Sequence, residues 1–342
     1  MADFTQSFSF ELQVYEVDRK TWADRRLIGG FTSASISRTT GRMLESASMT
    51  ADMSLGPEFD EGYYRLVARV RQEGLERYDL CTLYCKSVSG SVDRNVDQIS
   101  VDGVSVLYPA QNLVMEMGSY VPKGADGAAY VGRLLTKTLH APVTVEGSFE
   151  LAEDFVFDIG AKVLDCVWDV LESAKWCIQI DGRGHVYIMP IPSEPFLTIT
   201  NGMAMGDVSY ERAVSDVPNR YLAFDGVTLG SCTNNDIDSP VSVVSRGFTK
   251  DYDGGVDTSP TLVMGETIDA YCRRKLIELS SVTEKTSMHC EYHDGIYPFS
   301  MVRVRTQPSG QMHDVMVSSQ SIKCDKELSI DEDYVREVRL WQ

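Results

Sequence analysis

The chain has 342 residues, too many for one compact core and enough for two or three domains. Hydrophobic residues make up 43% and charged residues 24%, a composition that excludes intrinsic disorder over most of the length. Lys and Arg total 32 against 50 Asp and Glu, and the resulting net charge of -18 disfavours tight nucleic-acid binding. An acidic surface remains suitable for DNA that only slides past it.

The sequence predicts neither export nor a membrane anchor. The N-terminal segment lacks a basic region and an apolar run, and no later segment approaches the roughly 20 apolar residues of a membrane span. The eight cysteines are scattered, so reduced, cytosolic thiols are expected and not a disulfide framework. Cys81 and Cys85 are predicted to be a buried pair in a strand and not half of a zinc site.

Residues 1–115 mostly alternate between apolar and polar with a period of two, which predicts strands. In one predicted strand, alternate residues between positions 64 and 70 are apolar and share a face. Three arginines occupy its opposite, basic outer face: Arg65, Arg69 and Arg71. An antiparallel barrel or sandwich of roughly a hundred residues fits this segment.

Residues 116–200 predict a small α/β domain. Apolar residues at positions 131, 134, 135 and 139 have helical spacing, and a second stripe from Ile159 to Ala174 follows Asp158, the predicted N-cap. The segments 176–180 and 185–189 flank the turn residues 181–184 and predict a hairpin.

Strand patterns resume in residues 201–342. Strands are predicted at 207–214, 219–224, 241–248, 284–292, 299–306, 315–324 and 334–341. A polar surface loop is expected at 231–240, and one helix carries an apolar stripe from Ile268 to Leu279.

The residue patterns predict no active site, metal site or cofactor. His289 and His293 would be separated by roughly 13 Å on a strand, too far to share one zinc ion. The nucleophile elbow Gly-x-Ser-x-Gly and phosphate-binding glycine loops are missing from the sequence. Acidic residues at 331–333 are interpreted as solvated loops, and 251–257 as a flexible turn in preference to a calcium loop. The chain is therefore not expected to be an enzyme.

Two interpretations of the basic strand face remain open. It is either an ordinary solvated face or, in an assembly, a surface that meets the acidic surface of a neighbour. Arg65, Arg69 and Arg71 are the candidate interface residues.

The order of these elements resembles the baseplate hub family of tailed bacteriophages, which includes the late control protein D group and hubs of contractile injection machines. The resemblance rests on the helix and hairpin of residues 157–188, the segment 215–226 and the helix at 266–280, and it spans most of the chain.

The resemblance implies an α+β, mainly β fold with two barrel-like hub domains, 1–115 and 201–342, on either side of an α/β domain at 116–200. It implies a homotrimer whose six barrels form a ring that joins the tail tube or distal tail protein to a spike, fibre or tape-measure protein. Three chains of charge -18 sum to -54, so DNA would pass as a transient cargo through an acidic channel. Such a protein belongs to the tail tip of the virion and is assembled in the host cytoplasm.

Two other functional classes remain as alternatives. A tail-associated carbohydrate-binding adhesin module should group aromatic side chains on one exposed surface. A peptidoglycan hydrolase should depend on one carboxylate or on His289.

Overall fold

The computed structural model describes residues 10–28, 31–52, 59–71, 75–93, 96–116, 118–199, 208–262, 265–305 and 311–341. The chain divides into two compact units. Unit 1 comprises Met1–Val208 and Ser287–Tyr334, and unit 2 comprises Ser209–Thr286 and Val335–Gln342. Strands make up 49% and helices 15%, which confirms the mainly β prediction.

A large sheet forms the main part of unit 1. Its strands are β1 (Phe10–Val17), β2 (Asp24–Ile28), β3 (Phe31–Thr39), β4 (Glu45–Asp52), β5 (Tyr63–Arg71), β6 (Leu75–Asp93), β7 (Val96–Ser105), β13 (Leu197–Ile199), β19 (Met301–Arg305) and β20 (Met312–Cys324), together with parts of β18 (Ser281–Glu291) and β21 (Leu328–Arg339). The pairing order is β18-β21-β20-β3-β4-β7-β6-β5-β1-β2, and β19 pairs with both β20 and β13.

Alternation along the strands decides which side chains enter the core of this sheet. On β3, for example, Ala34, Ile36 and Arg38 are buried while the residues between them are exposed. The same apolar core contains Leu66 of β5 and Val317 of β20. Strands from both ends of the chain therefore bury one common core.

A second core of unit 1 is built by three helices, the first of them a short one, that pack with small sheets. The elements are α1 (Tyr108–Asn112), β8 (Tyr120–Val121), α2 (Gly127–Thr138), β9 (Val143–Val145), β10 (Phe155–Val156), α3 (Val163–Ser173), β11 (Trp176–Ile180) and β12 (Val186–Pro190). The predicted first helix and the hairpin are confirmed, and the Asp126 carboxylate caps α2 by accepting from the amide of Ala129 at 3.0 Å. The predicted N-cap at Asp158 is wrong because the second helix begins at Val163, after Lys162.

Unit 2 contains a three-stranded sheet and a helix that packs on it. Its elements are β14 (Ser209–Arg212), β15 (Arg220–Phe224), β16 (Leu229–Thr233), α4 (Val243–Arg246), β17 (Asp251–Asp257) and α5 (Ile268–Leu279), with the remaining parts of β18 and β21. The sheet order is β16-β15-β17. The apolar stripe of α5 buries Tyr271, Cys272 and Leu276 against this sheet, as predicted.

Two local predictions in unit 2 are wrong. Residues 241–248 were expected to be a strand, but Ser242 caps a short helix by accepting from the amide of Ser245, and Gly247 ends it with φ of 74°. Residues 251–257 form β17, not a turn, because β17 pairs in parallel with β15 and Asp251 accepts a 2.7 Å hydrogen bond from Arg220. Tertiary pairing overrides the turn propensity of Gly254 and Gly255.

The predicted β-barrels are not found among the described strands, since the pairing order of the large sheet has two ends. The strands at 284–292, 299–306, 315–324 and 334–341 are confirmed with shifts of a few residues, although positions 306–310 lie outside the described residues. The division into domains at residues 115 and 200 stays a prediction.

The turn of the β11–β12 hairpin rests directly against β6. The Thr82 hydroxyl donates to the carbonyl of Gly182 at 3.0 Å, and the Trp22 indole donates to the carbonyl of Arg183 at 2.8 Å. A Cβ atom on Gly182 would lie 1.5 Å from the backbone oxygen of Asp79, so only glycine fits at this contact.

We expect the substitution Gly182→Ala to lower the free energy of unfolding by about 2 kcal/mol or more, because either the turn or β6 must move. Urea unfolding followed by tryptophan fluorescence measures the loss. Gly62→Ala is the matched control, because a Cβ there meets its nearest neighbour, the Tyr64 ring, at an ordinary 3.8 Å. Equal midpoints for the two variants would contradict the close approach of turn and strand.

Candidate functional site

Arg65, the first candidate interface residue, is buried inside unit 1 with only 4% of its surface exposed. Its guanidinium donates to Thr82 Oγ1 at 3.0 Å, to Asp24 Oδ1 at 2.5 Å and to the carbonyl of Arg183 at 3.0 Å. The exposed position that strand alternation predicted is therefore wrong for this residue. Arg65 fastens β2 and the β11–β12 turn to β5 and β6.

The other two arginines of the predicted basic face differ from Arg65. Arg69 is half-buried and donates to Gln13 Oε1 at 2.6 Å and to the Tyr15 hydroxyl at 3.3 Å. The side chain of Arg71 lies outside the described residues. An intermolecular role for the three arginines stays a prediction.

Further charged groups surround the end of Arg65. Asp79 accepts from Arg77 at 2.6 Å and from Arg183 at 2.8 Å, and Asp24 accepts from Arg77 at 2.7 Å. Burial acts to raise the pKa of Asp79, but the hydrogen bonds from Arg183 and Arg77 outweigh it and lower that pKa. The charged groups of this cluster pair with one another within the chain. Such an arrangement stabilises the contact between the turn and the strands and leaves these groups paired, not open to a ligand.

A buried polar network crosses the core of the large sheet. Arg38 donates from Nε to Glu45 Oε1 at 2.8 Å, and both side chains are 2% exposed. Arg38 Nη1 lies 3.5 Å from Gln320 Oε1, and Gln320 Nε2 donates to Glu332 Oε1 at 2.6 Å. Burial raises the pKa of Glu45 to about 7 despite the opposing effect of the Arg38 guanidinium.

The far end of this network is His293. Its Nε2 atom lies 3.1 Å from Glu332 Oε2, and the Tyr334 hydroxyl donates to the same oxygen. Burial acts to lower the pKa of His293, but the Glu332 carboxylate outweighs it, so the pKa is raised. The network therefore connects β3, β4, β20 and β21 through hydrogen bonds and ion pairs between their buried side chains.

The residues that were weighed for catalysis or metal binding have structural partners. His289 Nδ1 lies 2.6 Å from Asp331 Oδ1, and Asp257 accepts from the hydroxyls of Tyr221 and Tyr271. In the part of the chain that the structure describes, no group of three or more His, Cys, Asp or Glu side chains could hold a metal ion. The eight cysteines are free thiols, and Cys81 and Cys85 are both buried as predicted.

Several exposed apolar side chains of unit 1 lie on the segments between Leu113 and Val163. Three segments meet there: Tyr120 pairs with Val156, Val114 forms a bridge with Lys162, and the amide of Val163 donates to the carbonyl of Leu113 at 2.9 Å. We call the exposed side chains of these segments the insert patch: Leu113, Val114, Tyr120, Val156 and Ile159.

The sequence did not reveal the insert patch. Ile159 was assigned to the buried stripe of a helix, but it precedes α3 and is 79% exposed, and Val156 is 75% exposed. The available signal was the flanking acidic residues Asp154 and Asp158, which favour solvent exposure of the segment that contains Val156 and Ile159. Several exposed apolar side chains on neighbouring segments are typical of interaction sites.

Unit 2 has a separate exposed apolar turn between β15 and β16. Phe224 and Leu229 are directly paired, and Val227 at the tip is 88% exposed. The Asp225 carboxylate accepts from the amides of Val227 at 2.9 Å and Thr228 at 2.7 Å. The turn is thus held rigid by its own hydrogen bonds while its apolar side chains face solvent.

No helix among the described residues is both long enough and apolar enough to cross a membrane. No protein-family model matches the chain, and no curated protein matches it.

Solved structures do match. The 43 kDa tail protein of prophage MuSo2 from Shewanella oneidensis superposes with a TM-score of 0.65 at 11% identity, covering 98% of this chain and 100% of that one. The fold is that of phage tail proteins. A tail protein from Neisseria meningitidis MC58 gives a TM-score of 0.62 at 9% identity and covers 96% of both chains.

The tail-protein fold also occurs in a chain of the Francisella PdpA–VgrG complex, with a TM-score of 0.57 at 7% identity over 100% of this chain and 60% of that one. The resemblance to baseplate and tail proteins that the sequence suggested is therefore confirmed at the level of the fold.

We expect Arg65→Lys to lower the free energy of unfolding by about 1 to 3 kcal/mol although the charge is kept, because a lysine cannot reach Thr82, Asp24 and the Arg183 carbonyl together. The matched control is Arg25→Lys, whose ion pair with Glu16 is exposed and should change stability by less than about 0.5 kcal/mol. Urea unfolding measures both variants, and a neutral Arg65→Lys would refute the role of Arg65 as an internal joint.

The His293–Glu332 pair predicts a pH-dependent contribution to stability. Because the folded pKa of His293 is raised above its ordinary 6.5, the pair contributes fully below that pH, and the contribution is lost as the pH rises through the folded pKa. The stability difference between the native protein and His293→Gln should be larger near pH 6 than near pH 9. Unfolding at the two pH values measures it.

The control for this pH effect is the same substitution made in a Glu332→Gln background. Without the carboxylate the excess at low pH should disappear or reverse in sign, because the group that raises the His293 pKa is gone and burial, which lowers that pKa, remains. A difference that is the same at both pH values in the native background would contradict the assignment.

Proposed function

We propose that the protein is a structural, non-enzymatic component of a phage tail tip, a baseplate hub that closes the tail tube and connects it to spike or receptor-binding parts. The single observation that carries the proposal is the superposition of nearly the whole chain on a phage tail protein, with a TM-score of 0.65 and full coverage of that protein.

The insert patch supports assembly with copies of the same chain. Its apolar side chains are exposed in the single chain and would be withdrawn from water between neighbouring subunits. We propose that the patch packs against a second copy in a homotrimer, in which two sheet-built modules per chain contribute to a ring. Arg69 and Arg71 remain part of this proposal as interface residues on β5. Arg65 does not, because it is buried, and Arg69 would contact a neighbour in addition to its own Gln13 and Tyr15.

The net charge supports a passage for DNA. A homotrimer would carry three times -18, or -54, and an acidic wall repels the phosphate backbone, so DNA would pass without adhering. In this proposal DNA is only a transient cargo, and the lasting partners are proteins: a tail-tube or distal tail protein on one side and a spike, fibre or tape-measure protein on the other. The presence of the fold in a PdpA–VgrG complex supports partners of this class. The protein would act in the virion after assembly in the host cytoplasm.

Size-exclusion chromatography with light scattering, combined with electron microscopy, tests the proposal that the protein is a trimeric hub. We expect the purified chain, alone or with its tail-tube partner, to form trimers that appear as closed rings. Compact monomers without rings in the presence of that partner would refute the proposal.

A substitution in the insert patch tests the surface itself. Ile159→Glu places a charge at a position that is 79% exposed, so folding should be unaffected while a contact at the patch is lost, and the trimer should dissociate at least tenfold more readily. Thr136→Glu adds the same charge at another exposed position of unit 1 and should leave assembly unchanged. Equal assembly of both variants would exclude the patch as the contact.

A further inference from the structure

A cleft of about 790 Å³ opens in unit 1 between the start of β5, the middle of β6 and α1. The volume lies within the range of sites for small ligands. Neither the tail-protein fold nor the proposed hub role assigns any ligand to it.

Tyrosine rings form one wall of the cleft. Tyr84 and Tyr108 stack with their ring centroids 5.2 Å apart and their planes 24° apart. Tyr63 meets Tyr84 edge-on at 5.4 Å and is itself buried with 1% of its surface exposed. Tyr84 thus packs against two aromatic neighbours, and the half-buried rings of Tyr84 and Tyr108 line the cleft.

Polar groups line the edge of this aromatic surface. The Tyr84 hydroxyl donates to the Glu61 carboxylate, and Arg19 donates to the backbone carbonyl of Glu61. Burial and the bond to Glu61 raise the pKa of Tyr84 to about 12, so its phenol remains a neutral donor. Asp60, Asn112 and Lys86 complete an edge that can both donate and accept hydrogen bonds.

The charges of the cleft indicate which ligands fit. Two carboxylates, Asp60 and Glu61, stand beside two cations, Arg19 and Lys86, so the edge carries no net charge. A nucleotide or other phosphate ligand would meet the carboxylates and gain no net attraction. An entirely apolar ligand would leave the polar edge without partners. A sugar ring has an apolar C–H face for a tyrosine and hydroxyl groups around its edge for the charged and amide side chains.

We propose that this cleft binds a neutral oligosaccharide, with one sugar ring packed on the Tyr84–Tyr108 pair and its hydroxyls bonded to the Glu61 edge. This inference does not rest on the hub proposal, because it concerns a surface of the single chain.

Binding is tested with the full chain and three soluble neutral probes: maltohexaose, cellohexaose and chitohexaose. Saturation-transfer NMR and calorimetric titration measure whether any probe binds, with oligothymidylate as the phosphate-bearing comparison. We expect at least one oligosaccharide to bind and oligothymidylate not to bind. Absence of binding by all three oligosaccharides, or binding of oligothymidylate alone, would overturn the inference.

Variants locate the bound probe. Tyr108→Ala removes the stacking ring and should weaken binding roughly tenfold, while Tyr108→Phe keeps the ring and should bind within about twofold of the native chain. Phe196→Ala removes an exposed aromatic ring outside both the cleft and the insert patch and should bind like the native chain. Thermal unfolding of each variant shows whether it is folded. If Tyr108→Ala has lost its fold, Glu61→Gln decides, and it should weaken binding because the carboxylate that accepts from the sugar hydroxyls is gone. Unchanged affinity in a folded Tyr108→Ala or in a folded Glu61→Gln would exclude the cleft.

Discussion

The pairing of β3 with β20 is the contact on which unit 1 depends. It runs in antiparallel register from Ser319 opposite Thr39 to Cys324 opposite Ala34, so a strand near the start of the chain completes its hydrogen bonds with one near the end. Without β20, the outer edge of β3 would leave its backbone groups unpaired. The common apolar core exists because this pairing brings the early and late strands into one sheet.

The polar network reinforces the register of that pairing. Arg38 on β3 approaches Gln320 on β20, and Gln320 in turn bonds Glu332 on β21. A slip of one residue would turn Arg38 to the opposite face and leave Glu45 as a buried carboxylate without its cation. We infer that the network contributes specificity of arrangement more than net stability, since removing charges from water is costly.

The two surfaces proposed to bind partners, the insert patch and the cleft beside Tyr84, lie outside the core of the large sheet. The Arg65 cluster joins the β11–β12 turn to β5 and β6, while the insert patch and the cleft beside Tyr84 lie on other segments of the same unit. Both surfaces are built on rigid elements: the patch on paired strands and a helix start, the cleft on stacked rings supported by Tyr63. A rigid support lowers the entropy cost of binding a partner or a ligand.

The sequence by itself determined the local elements, because the period of two on the strands and the apolar stripes of α2 and α5 depend only on nearby residues. From those patterns followed the mainly β fold and the resemblance to tail proteins. Tertiary structure alone decided that Arg65 is buried, that Ile159 is exposed and that residues 251–257 are a strand. Which face of a strand is covered depends on partners far along the chain, such as Arg38 and Gln320, which are 282 positions apart, and no local pattern encodes that distance.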